Sequence, residues 1–166
     1  MQTIDDILPK LSNVKVMSTI DMRQAFWMLR LDRASSLLTT FETPFGRFVW
    51  RRLPMGLNVS PELFAARIQA ALSGLEGVYC IADDLLITGK GADMVAATRD
   101  HNDNLVQLFE RCRQQGIKLN RDKFKFNRQT VTFMGHDLTP EGIKPSQSKI
   151  DAIQQMPIPE DKAAVQ

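Results

Sequence analysis

The chain has 166 residues, 43% of them hydrophobic and 24% charged, a composition that excludes wholesale disorder and suits one compact domain or a piece of a larger protein. Its net charge of +2 is nearly neutral, and two Cys with no CxxC pair, beside only two His, exclude a disulfide scaffold and a cysteine-built zinc site. No apolar run approaches the roughly 20 residues that span a bilayer and no signal peptide opens the chain, so no membrane partner is expected.

In chain order, Thr3 followed by Asp6 predicts a capping box for a short helix through Leu11. Residues 14–21 alternate as a strand, and 26–31 read as a strand or a turn and strand. Residues 37–43 and 47–53 flank Pro44-Phe45-Gly46, which is a hairpin signal. Ser60 and Pro61 set an N-cap and first position for a helix whose apolar stripe is Leu63, Phe64, Ile68 and Leu72. Two β-prone runs, 78–82 and 85–88, are separated only by Asp83-Asp84, which predicts a second tight hairpin. A long amphipathic helix follows from about Met94 to Gln115, stopped by Gly116. Residues 118–126 and 130–139 read as strands, Glu141-Gly142 as a turn, and 146–155 as a last helix before the 156–159 boundary. Hairpins interleaved with helices predict α+β with an antiparallel sheet, not the strict strand–helix alternation of a doubly wound fold.

Charge is segregated although the total is balanced. Between residues 111 and 128 lie Arg111, Arg113, Lys118, Arg121, Lys123, Lys125 and Arg128 against Asp122 alone, and Arg47, Arg51 and Arg52 form a second cluster. This pattern suits either a nucleic-acid surface or a solvated helix face followed by a Lys-rich edge strand. Asp21 ends a β-run, and Asp83-Asp84 occupy a hairpin tip. Acids gathered at one end of a sheet can share a divalent cation, because Mg²⁺ takes one or two carboxylates plus phosphate oxygens. The same pair of Asp also serves as a plain solvated turn.

Taken in order, the motifs resemble the reverse transcriptase domain of gypsy-type long-terminal-repeat retrotransposons. Ser18-Thr19-Ile20-Asp21 leading to Phe26-Trp27 is similar to the family's first catalytic motif. Leu38 to Phe41 with Thr43 to Gly46 resembles its next strand pair. Leu53-Pro54-Met55-Gly56-Leu57 with Ser60-Pro61 and Phe64 resembles the motif that meets template and nucleotide. Ile81-Ala82-Asp83-Asp84 stands where the family carries its aromatic-x-Asp-Asp box. Lys118-Leu119-Asn120 with Lys123, and then Phe133-Met134-Gly135-His136 through Gly142-Ile143-Lys144-Pro145, resemble the lysine-bearing motif and the primer-grip hairpin.

The resemblance implies a polymerase palm with partial fingers and a primer-grip hairpin. The palm would cover residues 1–145, with a remnant of the fingers at 1–60, and 146–166 would begin the connection to a downstream region. It implies two-metal transfer of nucleotides from dNTP to a primer on an RNA or DNA template, with Asp21, Asp83 and Asp84 binding Mg²⁺ (or Mn²⁺). Phe26 would gate the sugar, with Met55, Gly56 and Lys123 also at the nucleotide. Leu53, Pro54, Ile81, Ala82, Met134 and Gly135 would meet primer and template. Read from the residues alone, Phe26 equally suits core packing, Gly56 a turn, Met134 a bulged hairpin and Lys123 a solvated surface. Three positions depart from the family: Ile81 replaces an aromatic, Ala25 a Gly, and Met55 a hydrogen-bonding amide. Cys80 and Cys112 read as buried free thiols.

The implied partners are primer–template, dNTP and the rest of a polyprotein with ribonuclease H and integrase regions, inside a cell or a virus-like particle. The strands that clamp the triphosphate belong before Met1 in the family, so the chain by itself is expected to extend primers poorly. The alternatives are a non-catalytic palm remnant and a phosphoacceptor receiver-like domain, and the two hairpins speak against the receiver.

Overall fold

The β-prone run Val14-Lys-Val-Met-Ser-Thr-Ile-Asp becomes the central strand β1 (Val14–Asp21), buried along most of its length. The structure is a computed structural model and describes residues 3–156. A capping box between Thr3 and Asp6 starts the short helix α1 (Ile4–Ile7), and a 3₁₀ turn over Leu8–Leu11 leads into β1. Helix α2 (Arg33–Leu38) and the hairpin β2 (Phe41–Thr43) with β3 (Gly46–Phe48) follow. Then come α3 (Ser60–Leu72), β4 (Val78–Ile81), β5 (Asp84–Lys90) and the 22-residue α4 (Met94–Gln115). The chain continues through β6 (Lys125–Arg128), β7 (Val131–Phe133), β8 (His136–Thr139), β9 (Gly142–Pro145) and α5 (Gln147–Gln154).

The main sheet has the order β4-β5-β1-β6 and every pair is antiparallel. Successive side chains alternate between its faces. Ile20, Leu85 and Ile87 pack with Phe64 and Ile68 of α3 and with Leu105, Leu108 and Cys112 of α4. Met17, Leu86 and Ile81 pack on the opposite face with Ile7, Val131, Phe133 and Leu138, so the sheet β7-β8-β9 covers that side. Helix α4 is closed at both ends: Asp93 accepts the Ala96 N–H at 2.7 Å, and Gly116 takes φ +69°. Arg111 of α4 donates to the carbonyls of Ala71 and Ser73 at the end of α3.

Several expected strands take other forms, each for a local reason. Residues 26–31 hold a 3₁₀ turn over Phe26–Met28, because the chain turns sharply at Gln24 (φ +56°) and Leu29 N–H then bonds to Phe26 O at 3.1 Å. The turn sends Phe26 inward, edge-on to Phe64, and Trp27 outward, stacked on Trp50 at 6.4 Å between ring centres. Residues 33–38 are helical because the Asp32 carboxylate caps the Ser35 N–H at 2.7 Å, so only Phe41–Thr43 remains as strand. Within 118–126, Asn120 accepts the Asp122 N–H and forms a 3₁₀ turn over Arg121–Lys123. The expected 130–139 strand is broken by a turn at Met134 (φ +50°) and Gly135 (φ +73°), two successive left-handed residues that reverse a hairpin. Ser60 does not cap α3: it lies inside the helix, after Val59, and its hydroxyl donates to Pro54 O at 2.8 Å. The expected 156–159 boundary lies outside the described residues after Met156.

Candidate active site

The β4–β5 turn is phased one residue earlier than its composition suggests. Ile81 pairs with Asp84, so Ala82 and Asp83 form the two-residue loop and Asp84 opens β5. Ala82 has φ +53° while Asp83 is not left-handed, the sign pattern of a type II′ turn. This phasing has a chemical consequence, because Asp84 now stands directly opposite Asp21, the last residue of β1. Directly opposed residues on antiparallel strands share a face, with Cβ atoms about 5 Å apart, and like charges there repel. Burial first, and next the facing Asp21 carboxylate, push the Asp84 carboxyl up from 3.8 to about 6.

The neighbouring backbone holds this pair in place. Met22 N–H donates to Asp83 O at 2.8 Å, Asn120 N–H to Asp21 O at 2.8 Å, and Arg23 N–H to Lys118 O at 2.7 Å. The end of β1 is therefore wedged between the acidic turn and the 118–120 segment. The 3₁₀ turn of Arg121–Lys123 then brings Lys123 onto Asp21, with Nζ 2.5 Å from Oδ2. Pairing with Asp21 raises the pKa of the Lys123 ammonium above its ordinary value. Asp21, Asp84, Lys123, Lys125, Thr132 and Met134 line one cleft of about 500 Å³.

Asp83 is exposed and lines a second, smaller cleft of about 210 Å³ with Phe26, Met55, Pro61, Phe64 and Ala82. Two acids thus meet and the third stands beside them in the turn. Among the described residues, no three of the His, Cys, Asp and Glu side chains gather closely enough to enclose a cation by themselves. The donor set still fits a hard divalent ion: Asp21 and Asp84 crowd one edge, their repulsion is what a cation relieves, and Mg²⁺ needs only one or two protein carboxylates. Lys123 is the counter-charge to Asp21.

The other candidates divide by exposure. Phe26 lies 5.3 Å from the Phe64 ring at 68°, half-buried and open to the smaller cleft, so it both packs and faces the site. Met55 is 61% exposed and lines that cleft. Gly56 beside it has φ +88° with nothing within 4 Å of where a Cβ would stand, so the protein itself does not crowd it. Leu53 is 2% exposed and belongs to the helix-side core, while buried Pro54 receives the Ser60 hydroxyl. Both hold the Met55-Gly56 turn from below and offer no surface to a strand of nucleic acid. Ile81 is likewise buried, at 4%, in the cluster beneath β7 and β8. Met134 and Gly135 form the β7–β8 turn, and Met134 reaches the acid cleft. Thr132 also lines this cleft, and nothing in the sequence singled it out; its hydroxyl donates to Asp137 at 2.7 Å.

Comparison with known proteins identifies the family and the fold. A family model described as reverse transcriptase (RNA-dependent DNA polymerase) matches residues 1–138. The retrovirus-related Pol polyprotein from transposon 412 of Drosophila melanogaster is 36% identical over 160 residues, 95% of this chain and 12% of that protein. The enzymatic polyprotein of Cestrum yellow leaf curling virus is 33% identical over 142 residues, 84% of this chain and 21% of that protein. The chain therefore spans only a small part of the curated relatives it matches. Among solved structures, a foamy viral protease–reverse transcriptase in complex with double-stranded DNA superposes with a TM-score of 0.87 at 27% identity, covering 99% of this chain and 28% of that one. A foamy viral protease–reverse transcriptase bound to an RNA/DNA hybrid superposes with a TM-score of 0.75 at 28% identity, covering 87% of this chain and 19% of that one. The antiparallel α+β fold, the acids on adjacent strand ends and the order of the motifs thus have a single common source: the chain belongs to the reverse transcriptase family.

Proposed function

We propose that this chain is the palm of an RNA-directed DNA polymerase within a retroelement polyprotein, of the gypsy type that its motifs resemble. Residues 1–145 form the palm, with a remnant of the fingers at 1–60, and 146–166 begin the connection to a downstream region. The observation that carries this reading is the in-register facing of Asp21 and Asp84, with Asp83 in the adjoining turn. In this reading Asp21, Asp83 and Asp84 hold Mg²⁺ or Mn²⁺, and the bound cation supplies charge stabilisation at the reacting phosphate.

The chain's own groups position the reactants. The Phe26 ring, held edge-on by Phe64, forms the floor under the nucleotide sugar and excludes a 2′-hydroxyl. The Met55-Gly56 turn, supported by Leu53 and Pro54, offers its backbone to nucleotide and template. The Met134-Gly135 turn holds the primer end over the acid pair, and Lys123 exchanges Asp21 for the phosphates of the leaving pyrophosphate. Such positioning supplies much of the rate in phosphoryl transfer. The substrates are a primer–template and dNTP, and the partners are other segments of the polyprotein, with ribonuclease H and integrase regions among them.

The test is primer extension on a primed RNA with Mg²⁺ or Mn²⁺, using the chain alone and the chain joined to upstream strands of a relative, each beside Asp83→Asn. Extension that the substitution abolishes supports the reading. Duplex binding with no extension in either form overturns it in favour of a non-catalytic palm remnant.

A further inference from the structure

Strand β6 is out of step with β1. Met17 pairs with Arg128, so regular pairing would set Phe126 opposite Thr19; instead Lys125 stands there, with one extra residue on β6. Opposed residues share a face, and a one-residue slip moves every side chain to the other face. The bulge is therefore what puts Lys125 on the same face as Thr19 and Asp21, where it lines the acid cleft. Phe126 turns the other way and packs against the ring of His101 at 5.8 Å between centres.

The irregularity is held by two side chains outside the acid site. Asn127 has φ +51°, and its N–H donates to Ser18 Oγ at 2.9 Å in place of a β1 carbonyl. Ser18 Oγ lies 2.8 Å from His101 Nε2, and both residues are fully buried. His101 Nδ1 lies 3.2 Å from Asn102 Oδ1, an acceptor, so the proton sits on Nδ1 and Nε2 accepts the Ser18 hydroxyl. Burial keeps this imidazole below the ordinary histidine pKa and so neutral. His101 comes this close to the sheet because β5 has Gly89 beneath it: a Cβ there would lie 2.4 Å from His101 Cβ.

We infer that Ser18 and His101 are positioning residues that lock the β6 bulge and so set which face of β6, with Lys125, is presented beside Asp21. Lys125 then meets the phosphates of a bound duplex, a consequence that rests on the polymerase reading. The bulge lock itself does not.

The experiment uses the ¹⁵N-labelled chain with Ser18→Ala, His101→Leu and His101→Gln, whose amide oxygen can still accept the hydroxyl. Amide exchange at Asn127 is expected to quicken roughly ten- to a hundredfold in the first two, over and above any change at Leu86 in the β5 ladder, and to recover in His101→Gln. Exchange at Asn127 that rises only in step with Leu86 overturns the inference, since that is what simple loss of core packing gives. If His101→Leu fails to fold, Ser18→Ala, which removes one atom, decides the matter.

A second arm titrates a primer–template duplex. Lys125→Ala is expected to weaken binding severalfold in the wild-type background and to have little effect once Ser18→Ala is present. An equal Lys125→Ala effect in both backgrounds, with Asn127 exchange unchanged, overturns the lock. Absence of duplex binding by the wild-type chain overturns the polymerase reading and leaves the lock to be judged by Asn127 exchange alone.

Discussion

Replacing Asp84 with Asn should make the metal-free protein more stable, although the residue sits at the heart of the candidate active site. The Asp84 carboxyl lies at about 6 in the folded chain, against 3.8 as its ordinary value. Folding therefore raises its proton affinity: below about pH 4 the group is protonated in both states and carries no penalty. The penalty grows as pH rises through the interval and is complete above about pH 6. A shift of about two units corresponds to roughly 3 kcal/mol. Asp84 is only half-buried, so solvent screening reduces this to about 1–2 kcal/mol. In a chain of this length that is roughly 2–6 °C in Tm.

The assay is urea unfolding of the wild type and Asp84→Asn at pH 4, 5, 6 and 7.5 with EDTA present. The difference between the two should be near zero at pH 4 and reach its full value by pH 7.5. Asp83→Asn, at an exposed turn position, should change stability by less than about 0.5 kcal/mol and serves as the control. Added Mg²⁺ should narrow the gap, since a ligand that binds only the folded state stabilises the wild type more than a variant lacking one carboxylate. A pH-independent difference, or an Asp84→Asn chain less stable at pH 7.5, would refute the view that facing carboxylates are strained here.

Other consequences can be checked separately. Lys123→Gln removes the positive charge that holds Asp84 down, so the Asp84 titration followed by carbon NMR should move to higher pH; no movement would contradict the ion pair's place beside both acids. Gly89→Ala puts a Cβ 2.2 Å from Ala97 O, and the forced shift of α4 should cost about 1–3 kcal/mol in urea unfolding. Phe26→Val should raise the use of ribonucleotides relative to deoxyribonucleotides by roughly tenfold or more in any form that extends primers. Affinity for a primer–template should fall steeply with salt, and Lys125→Ala should lessen the slope of log affinity against log salt by about one contact.

What could be read from the sequence was local. The strand at 14–21, the stripe of α3 and the capped length of α4 declare themselves through periodicity and punctuation within one segment. Helix α2 escaped because Leu37 to Phe41 is β-prone, while its start depends on one Asp32 side chain. Leu37 and Leu38, which looked like strand interior, are 59% and 88% exposed. The site shows the same divide. The three acids stood out as candidates by type and position, but their phasing did not, because Asp84 is drawn into β5 by pairing with β1, more than sixty positions away. Leu53 and Ile81 have the composition of contact residues in a motif, yet their apolar side chains are worth more in the core than against a polar backbone. The β6 bulge depends on a buried hydroxyl and an imidazole from separate elements, and no local pattern announces it.

The stacked indoles have a spectroscopic consequence. Trp27 and Trp50 are the chain's two tryptophans, and both sit in one aromatic array with Phe41 and Phe48, outside the main sheet and about two-fifths exposed. Tryptophan emission, excited beyond the absorption of Tyr79 in β4, therefore reports the docking of the β2–β3 hairpin on the Phe26–Met28 turn and is nearly silent about the β4-β5-β1-β6 sheet. Far-ultraviolet dichroism, dominated by α3 and α4, reports the remainder. The hairpin is tied down by few buried contacts, so emission should change at lower denaturant than ellipticity, and the two curves should separate. Indoles at 6.4 Å should also couple, giving a paired near-ultraviolet band that Trp50→Phe erases while the helical signal persists.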